Sequence, residues 1–297
     1  MADGLVVVDK PRGMTSHDVV SRLRKIYGQR SVGHAGTLDP DATGVLLVGL
    51  GKATRLLRFL QETTKGYSGT VVFGVTTDTL DSEGKVTAEF DMASLGRELV
   101  EQAIQTFLGE IEQIPPMVSA IKIDGRRLHE LAREGIEVER KSRAVRIDSF
   151  ELTAWRNSTD MTGPESDVAV ECSSGTYIRT LAADLGTVLG GGAHLRDLRR
   201  NRVGSFTLGD AHSLAEIEAV SLECVLSPLG AMRSLERIDV DDDVAKRVGY
   251  GNTFTARDLL ANYHGGAGPF AVVHDTELIA IYERRGDGLK PAVVLAK

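Results

Sequence analysis

The sequence has few cysteines and no long apolar run. Its two cysteines, Cys172 and Cys224, form no CxxC spacing and have no neighbouring histidine, so neither a disulfide framework nor a zinc site is supported. No apolar run approaches the roughly 20 residues that cross a bilayer. The first residues contain neither a basic start nor a long apolar stretch, so no signal peptide is predicted. Together these absences favour a cytoplasmic protein.

Net positive charge, the usual mark of an RNA-binding protein, is also missing. The formal net charge is −7 over 297 residues. Basic residues nevertheless outnumber acidic ones in three blocks, which are residues 1–60, 121–147 and 179–202. Folding could gather these blocks on one face, or they could be scattered solvated charges. On charge alone both interpretations stand.

Short strands and helices follow one another along the chain without a regular βαβ alternation. Strands are predicted at residues 5–9, 44–51, 67–75 and 168–172. Helices are predicted after Thr15 up to Gly28, around Leu56, Leu57 and Leu60, at 95–108 with Ser94 as the cap, and at 176–189. Asp124-Gly125 predicts a hairpin. This order indicates an α+β fold with helices flanking a mostly antiparallel, mixed central sheet.

The last sixty residues differ from the rest of the chain. They contain short strand patterns at 237–240, 269–274, 278–284 and 291–296. A length of 297 residues fits one large domain and one small one. We therefore predict a domain of residues 1–233 and a small β-rich domain of residues 234–297.

The most unusual segment is GHAGTLDPDATG, residues 33–44. Its glycines permit backbone conformations that other residues resist, and Pro40 pushes Asp39 out of the helical region. One interpretation is structural: Asp39 caps a helix whose first residue is Pro40, and His34 hydrogen-bonds within the loop. The other is catalytic. The residues of this segment do not decide between them.

Arg179 is unusual because it falls in the first turn of a predicted helix. A cation there opposes the helix dipole at a cost of about 0.3–1 kcal/mol. A local rule broken in this way often marks function, although a surface arginine packed along the helix is the commoner case. No nucleotide or metal motif is present, since the segment GLGKAT at 49–54 fails the phosphate-loop pattern. No cofactor is expected.

Six segments in this order resemble the TruB family of bacterial tRNA pseudouridine-55 synthases. They are DKPRGMTS at 9–16, GHAGTLDPDATGVL at 33–46, KGY at 65–67 with TDTLD at 77–81, QIPPMVSAIKIDGRRLHELAREG at 113–135, CSSGTYIRTLAADLG at 172–186 and HLRDLRRNRVGSF at 194–206. The match extends over some 200 residues, and one such block alone would be weak. It implies a pseudouridine synthase fold with a small PUA-like domain at the C-terminal end.

The resemblance also implies a reaction in which the uridine C1′–N1 bond is broken and a C1′–C5 bond is formed. Asp39 matches the family nucleophile, which attacks either the ribose or the uracil ring, and Arg179 matches the arginine that pairs with it. Tyr67 matches the tyrosine that stacks on the base and is the candidate for handling the C5 proton. Tyr177 and Leu198 match residues that line the uracil pocket.

Other implied contacts concern tRNA. The uridine must be flipped out of the T loop, and His34 matches the residue that fills the vacated space. Lys10 matches a lysine near the site, where supporting the fold and touching RNA are both open. Residues 122–146 match an insertion that grips the T arm. The expected partner is tRNA, bound by a monomer with no protein or membrane partner.

Two features depart from the family pattern. Arg55 stands where a lysine is expected, which keeps the charge but changes the geometry. Asp241-Asp242-Asp243 would repel phosphate and makes the C-terminal domain more acidic than an RNA-binding module.

Two other functions are kept as alternatives. In a tRNA-folding chaperone without chemistry, Asp39 would be only a helix cap, and Asp39→Asn would preserve function because Asn caps equally well. In an aspartate-nucleophile hydrolase, a second carboxylate is required as acid or base, and Asp41 is the one available in the segment.

Overall fold

The computed structural model describes residues 2–119, 121–123, 125–157, 163–255, 259 and 266–295. Its main feature is a nine-stranded sheet with the strand order β1-β3-β12-β4-β11-β10-β7, in which β2 also pairs with β3 and β13 with β12. These strands are β1 (Gly4–Lys10), β2 (Val32–Ala35), β3 (Thr43–Leu50), β4 (Lys65–Phe73), β7 (Gly109–Gln113), β10 (Arg143–Arg156), β11 (Glu165–Cys172), β12 (Ala193–Val203) and β13 (Phe206–Thr207).

The neighbouring strands of this sheet are antiparallel except β3 and β12, which are parallel. Two small hairpins lie outside it: β5 (Val75–Thr77) with β6 (Val86–Glu89), and β8 (Lys122–Ile123) with β9 (Arg126–Arg127). The helices are α1 (Ser16–Ile26), α2 (Leu57–Gln61), α3 (Arg97–Ile104), α4 (Leu128–Arg133), α5 (Ile178–Val188), α6 (Leu214–Val220), α7 (Pro228–Ala231) and α8 (Asp242–Gly249). The predicted α+β class with a mostly antiparallel, mixed sheet is confirmed.

Local sequence signals set the ends of α1. The Thr15 side chain accepts a hydrogen bond from the backbone N–H of Asp18, whose carboxylate accepts one from the backbone N–H of Thr15, which is a complete capping box. Beyond the helix, Gly28 has a φ of 59°, a conformation that glycine adopts without a side-chain clash. Both predicted ends of this helix are confirmed.

The helix predicted at 95–108 is shorter, and its predicted cap is wrong. It begins at Arg97 after Gly96, which has no side chain with which to cap it. Ser94 instead lies in a turn in which the Leu95 N–H donates to the Met92 carbonyl at 2.9 Å. Ser94 therefore lies two residues before the actual N-cap, Gly96, because the chain closes a turn at Met92–Leu95 before the helix starts.

The segment between β7 and β10 runs from residue 114 to residue 142. It includes the β8–β9 hairpin and α4, while Asp124 lies outside the described residues. Arg143–Arg146 are already part of β10, where they pair with residues 110–113 of β7. The last four residues of the predicted insertion at 122–146 are therefore part of the central sheet.

Strand β1 shows how the alternation of side chains builds two separate cores. Val6 and Val8 face α1 and pack with Val19, Val20 and Leu23. Leu5 and Val7 point to the opposite face and pack with residues of α2 and of a second sheet. The apolar run is thus buried on both sides, as a continuous hydrophobic strand requires.

The second sheet contains five strands in the order β14-β16-β17-β18-β15. They are β14 (Glu236–Asp239), β15 (Phe254–Thr255), β16 (Phe270–His274), β17 (Glu277–Arg285) and β18 (Gly288–Val294). Asp241 accepts from the Val244 N–H and caps α8, with Asp242 and Asp243 in the first turn. The acidic triplet therefore stabilises a helix N-terminus that the sequence reading missed.

Arg55 joins the two sheets. Its Nη1 donates to the Val294 carbonyl at 2.8 Å, and Lys52 Nζ donates to the Leu295 carbonyl at 3.0 Å. The arginine that departs from the family pattern is thus used to hold the C-terminal sheet. Among the described residues, no helix is long and apolar enough to cross a membrane.

Candidate active site

A cavity of about 460 Å³ opens between β2, β4, β12 and the start of α5. Six of the seven residues expected at the site line it: His34, Asp39, Tyr67, Tyr177, Arg179 and Leu198. They come from five separate places in the chain. The sheet therefore brings together what the sequence spreads over 165 positions.

Asp39 lies in a loop, not at the start of a helix. Residues 36–42 connect β2 to β3 without helical structure, so the helix-cap interpretation of Asp39-Pro40 is wrong. Leu38, which is buried, anchors this loop: the Ser16 hydroxyl accepts from the Leu38 N–H at 2.9 Å. The adjacent Asp39 side chain remains 40% exposed and faces the cavity.

Arg179 forms an ion pair with Asp39. Its Nε lies 3.0 Å from Asp39 Oδ2, while its Nη1 lies 3.3 Å from Asp81 Oδ2. The same guanidinium donates to the carbonyls of Thr79 at 2.8 Å and Val118 at 2.9 Å. The guanidinium is therefore fixed by two carbonyls and shared between two carboxylates, so Asp39 is not its sole partner.

Opposing electrostatic effects act on the Asp39 carboxyl group, and their net result is a raised pKa. Desolvation by the cavity wall raises the pKa of Asp39, the Arg179 guanidinium opposes this shift, and Asp81 adds to it. Arg179 is only 4% exposed, so its charge is poorly screened by solvent. The result is a carboxylate with a raised pKa beside a fixed cation.

Tyr67 lines the cavity from β4. It lies on β4 directly across from Arg200 of β12 and is nearly buried. Desolvation raises the pKa of Tyr67, and Arg200 opposes that effect. The phenol is therefore neutral near pH 7 and has a ring that can contact an apolar or aromatic ligand.

Tyr177 and Leu198 are positioned by local irregularities. The Tyr177 N–H donates to Gln113 Oε1 at 3.0 Å just before α5, which fixes the start of that helix. Before Leu198, Asp197 adopts a φ of 55°, and the pairing of β12 with β4 shifts register between Arg196 and Arg199. This bulge lets Leu198 line the cavity, as such bulges commonly re-aim a side chain.

His34 lines the cavity from β2. Its Nδ1 is buried without a hydrogen-bond partner in the described part of the chain. Burial lowers the pKa of His34, and Arg200 adds to the effect. A neutral imidazole with one unsatisfied nitrogen is suited to contacting a ligand that enters the cavity.

Lys10 does not line the cavity, and of the two roles left open for it, the contacts of its ammonium favour the one in supporting the fold. It is fully buried, and its ammonium donates to the carbonyls of Pro11, Met14 and Pro40 at 2.6–2.9 Å. An ammonium has three protons, so no donor is left for RNA. Lys10 instead holds the end of the Asp39 loop, and burial lowers its pKa to about 8.

Three charged residues at the site were not assigned from the sequence. Asp81 holds the far side of Arg179. Arg200, 1% exposed, donates from Nε to Val45 O at 2.7 Å, and from Nη1 and Nη2 to Thr37 O and Gly36 O. Lys65 lines the same wall. All three fall in segments that carry the family resemblance, but the motifs themselves do not say which side chains point inward.

Of the described residues, Asp242, His274 and Asp275 have metal-ligand atoms within 4.8 Å of one another. They lie on the surface of the C-terminal sheet, and both carboxylates are almost fully exposed. Exposed carboxylates remain hydrated and need no ion. The cysteines, both buried and free, take no part in this group.

Two family models match adjoining parts of the chain. The model of the TruB family pseudouridylate synthase (N terminal domain) matches residues 24–178. The model of the tRNA pseudouridylate synthase B C-terminal domain matches residues 179–232. The boundary between the two falls at Arg179, within the cavity.

Similar whole proteins are named tRNA pseudouridine synthase B. The one from Mycobacterium ulcerans (strain Agy99) is 44% identical over 293 residues, which cover 98% of this chain and 94% of the relative. The one from Thermobifida fusca (strain YX) is 43% identical over 302 residues, which cover 100% of this chain and 99% of the relative.

Solved structures share the fold. A chain of the Cbf5-Nop10-Gar1 complex has a TM-score of 0.73 at 25% identity and covers 98% of this chain and 83% of its own. A chain of an H/ACA RNP bound to a substrate RNA containing 2'-deoxyuridine has a TM-score of 0.71 at 22% identity, with coverages of 99% and 85%. The fold is that of a pseudouridine synthase. Together with the sequence matches, this shows that the chain belongs to the TruB family of pseudouridylate synthases, and it is an isomerase.

Proposed function

We propose that the protein is a tRNA pseudouridine synthase that isomerises uridine 55 in the T loop, with Asp39 as the nucleophile. The observation that carries this proposal is a partly exposed carboxylate inside a cavity of about 460 Å³, in contact with a nearly buried arginine. Relatives that match over the full length carry the name tRNA pseudouridine synthase B, which supports tRNA as the substrate.

Asp39 acts as a nucleophile without a separate base. An aspartate is ionised well below neutral pH, with an ordinary pKa of about 3.9. Desolvation raises the pKa of Asp39, which makes the carboxylate more nucleophilic, while the Arg179 guanidinium opposes this shift and favours the charged form. The carboxylate attacks C1′ or C6 of the bound uridine, and the uracil rotates before C5 bonds to C1′.

Arg179 positions the nucleophile. Its contacts with Asp81, Thr79 O and Val118 O fix the guanidinium before substrate binds. Asp39 therefore pairs with a cation that cannot follow the carboxylate as it moves towards the substrate. The orientation is set by the protein and needs no reorganisation at the moment of reaction.

Tyr67 and Leu198 hold the uracil, and Tyr177 closes the pocket beside them. The ring of Tyr67 stacks on the flipped base, which is a contact every base can make with its π-face. The Tyr67 hydroxyl is the group that handles the C5 proton. His34, whose Nδ1 is unsatisfied, stacks in the space that the uridine leaves in the T loop.

The chaperone alternative differs from the proposed function by one observable, the loss of the C5 hydrogen. The test is tritium release from a tRNA transcript labelled at uracil C5, by the wild-type protein, Asp39→Asn and Asp41→Asn. We expect about one equivalent per tRNA from the wild type and from Asp41→Asn, and none from Asp39→Asn, with tRNA binding retained in all three.

Asp41→Asn is the matched control because it makes the same change two residues away. Tritium release by Asp39→Asn at the wild-type rate would show that Asp39 is not the nucleophile. No tritium release by any of the three proteins, together with turnover of free nucleosides, would favour the two-carboxylate hydrolase, because glycosidic hydrolysis leaves the C5 hydrogen in place. A tRNA with cytidine at position 55 should release no tritium if that uridine is the target.

A further inference from the structure

Two buried cations line the Tyr67 side of the cavity without a carboxylate partner. Arg200 is 1% exposed and Lys65 is 7% exposed. Within the described part of the chain, no carboxylate lies within ion-pair distance of either one. They meet at Gly36, where an added Cβ would lie 3.6 Å from Arg200 Nη1 and 3.9 Å from Lys65 Cε. The cavity lining thus contains two cations, Arg200 and Lys65, whose positive charge no carboxylate of the described residues balances.

Lys10 provides a comparison within the same site. Both lysines are buried, and their ammonium groups donate to backbone carbonyls. Lys10 donates to three and is outside the cavity lining. Lys65 donates to two, the carbonyls of Gln61 at 2.9 Å and Thr63 at 3.3 Å, and it lines the cavity. One proton of Lys65 is therefore available to a ligand, whereas Lys10 is saturated.

Burying an unpaired cation is unfavourable, and this cost is visible at Lys65. Desolvation lowers the pKa of Lys65 to about 8, and the Arg200 charge lowers it further. Arg200 cannot relieve the repulsion by losing its proton. A fold that needed only packing here would contain an apolar residue, because replacing buried charges by well-packed apolar groups is often neutral or stabilising. An anion that appears in the cavity would explain both charges.

The reaction itself produces such an anion. When the C1′–N1 bond breaks, its electron pair moves on to the uracil and is shared by N1, O2 and O4. If Asp39 has first added to C6, the ring already carries the extra charge on O4. The ring loses its negative charge when C5 bonds to C1′ and the Asp39 carboxylate is released. C5 then loses its proton, and N1 gains one. Both routes therefore place negative charge on the ring that contacts Tyr67.

We propose that Lys65, backed by Arg200, is a catalytic residue that stabilises the negative charge on the uracil after the glycosidic bond breaks. The free Lys65 proton contacts a uracil oxygen, and Arg200, occupied by carbonyls, acts at short range through its charge. This inference rests on the proposed function but does not depend on which carbon Asp39 attacks.

The first test replaces the charge. Lys65→Met keeps a stem of similar length, and Lys25→Met makes the same change at an exposed lysine of α1. Single-turnover rates and tRNA dissociation constants are measured for both. We expect Lys65→Met to lower the rate about 100-fold, as the loss of one preorganised donor does elsewhere, with tRNA affinity within about twofold, and Lys25→Met to match the wild type.

The second test uses pH and needs only a charge-conserving variant. Lys65 is active while protonated, so wild-type activity should decline as pH rises through about 8. The charges that act on Lys65 come from Arg200 on β12 and Cys172 on β11. Tyr67, on β4, lines the same cavity, and the Glu171–Arg202 ion pair lies on either side of Gly66, the next residue of β4. In Lys65→Arg the cation persists to high pH, so the decline should disappear and part of the activity should remain.

The outcomes separate this inference from the proposed function. Whether the wild-type protein forms pseudouridine tests only the proposed function and says nothing about the role of Lys65. A loss of tRNA affinity in Lys65→Met, with a reduced salt dependence and an unchanged single-turnover rate, would identify a phosphate contact and overturn the inference. A decline above pH 8 that persists in Lys65→Arg would overturn it as well, because it would belong to Lys10 or another group. If Lys65→Met does not fold, the Lys65→Arg profile decides.

Discussion

The cavity and the outer surface of the central sheet use arginine in opposite ways. On the surface, Arg156, Arg196 and Arg202 are more than a third exposed, and each pairs with a carboxylate of β11. In the cavity, Arg179 and Arg200 are almost fully buried. Arg200 donates to three backbone carbonyls, whereas Arg179 contacts two carbonyls and the carboxylates of Asp39 and Asp81. Carbonyls hold an arginine in place without cancelling its charge, so Arg200 contributes an unpaired positive charge to the cavity.

The same strand, β12, supplies both kinds of arginine. Arg196, Arg200 and Arg202 are separated by even numbers of residues and would share a face of a regular strand. The register against β4 shifts between Arg196 and Arg199 and again between Arg200 and Arg202. Two irregularities therefore turn Arg200 inward while its neighbours stay on the surface. This comparison of buried and surface arginines can be tested at several positions.

The largest effect is expected for Arg179→Lys. A lysine has one nitrogen and cannot reach Asp39, Asp81 and two carbonyls together, so the carboxylate loses its fixed partner. We expect kcat/KM to fall by about 100- to 1,000-fold. Arg156→Lys is the matched control on the surface and should stay within about twofold. A wild-type rate for Arg179→Lys, measured by C5 tritium release, would contradict the pairing.

A second large effect concerns the backbone that carries the cavity. Gly44 has a φ of 102°, and an added Cβ would lie 2.2 Å from the Arg200 carbonyl oxygen. Gly44→Ala should lower the free energy of unfolding by about 3 kcal/mol or more, because strain and a backbone clash add. Gly28→Ala, with a φ of 59° and no atom within 4 Å of the new Cβ, isolates strain and should lose only about 1–2 kcal/mol. Equal losses in chemical denaturation would contradict the close-approach argument.

A smaller effect is expected in the pH dependence. Because the pKa of Asp39 is raised, the nucleophile is protonated and inactive at low pH and gains activity as pH rises through that raised value. The acid limb of kcat/KM should lie above the ordinary aspartate pKa of about 3.9. Asp41→Asn should keep the same limb, measured between pH 4 and pH 7. If activity instead rises at a pH at or below the ordinary aspartate pKa, Arg179 lowers the pKa of Asp39 by more than desolvation raises it.

The same shift predicts the sign of a stability change. The charged form of Asp39 is disfavoured in the folded protein, so the penalty is present above the folded-state pKa and disappears as pH falls below the unfolded value. Asp39→Asn should therefore not reduce stability at pH 7, since Asp81 still pairs with Arg179. Thermal unfolding of both proteins at pH 7 and pH 4 measures this difference.

The smallest effect is expected at the surface. Arg156 pairs with Glu165 and Asp167, and all three are more than a quarter exposed. Exposed pairs contribute about 0–1 kcal/mol, which salt reduces further. Arg156→Ala should therefore change the free energy of unfolding by no more than about 1 kcal/mol, and by less at high salt. A loss above about 2 kcal/mol would show that surface and cavity arginines differ less than their burial indicates.

Much of the fold could be predicted from local patterns. The capping box at Thr15 and Gly28 gave both ends of α1, because a helix end is satisfied by residues within a few positions. The predicted cap at Ser94 was wrong because a turn between Met92 and Leu95 moves the start of the helix, and residue types alone do not reveal that turn. Asp241 was interpreted as repulsive charge when it caps α8, because the helix is too short for its periodicity to be clear.

By itself the sequence determined the family, the α+β class and the set of blocks from which the site is assembled, since these depend on residue order and period. Only the tertiary structure decided which charges face the substrate. Lys10 and Lys65 look alike in their motifs, yet one is saturated by three carbonyls and the other keeps a free proton at the cavity. The burial of each lysine and the carbonyls within its reach set this difference in hydrogen bonding, and both depend on contacts between segments far apart in the chain.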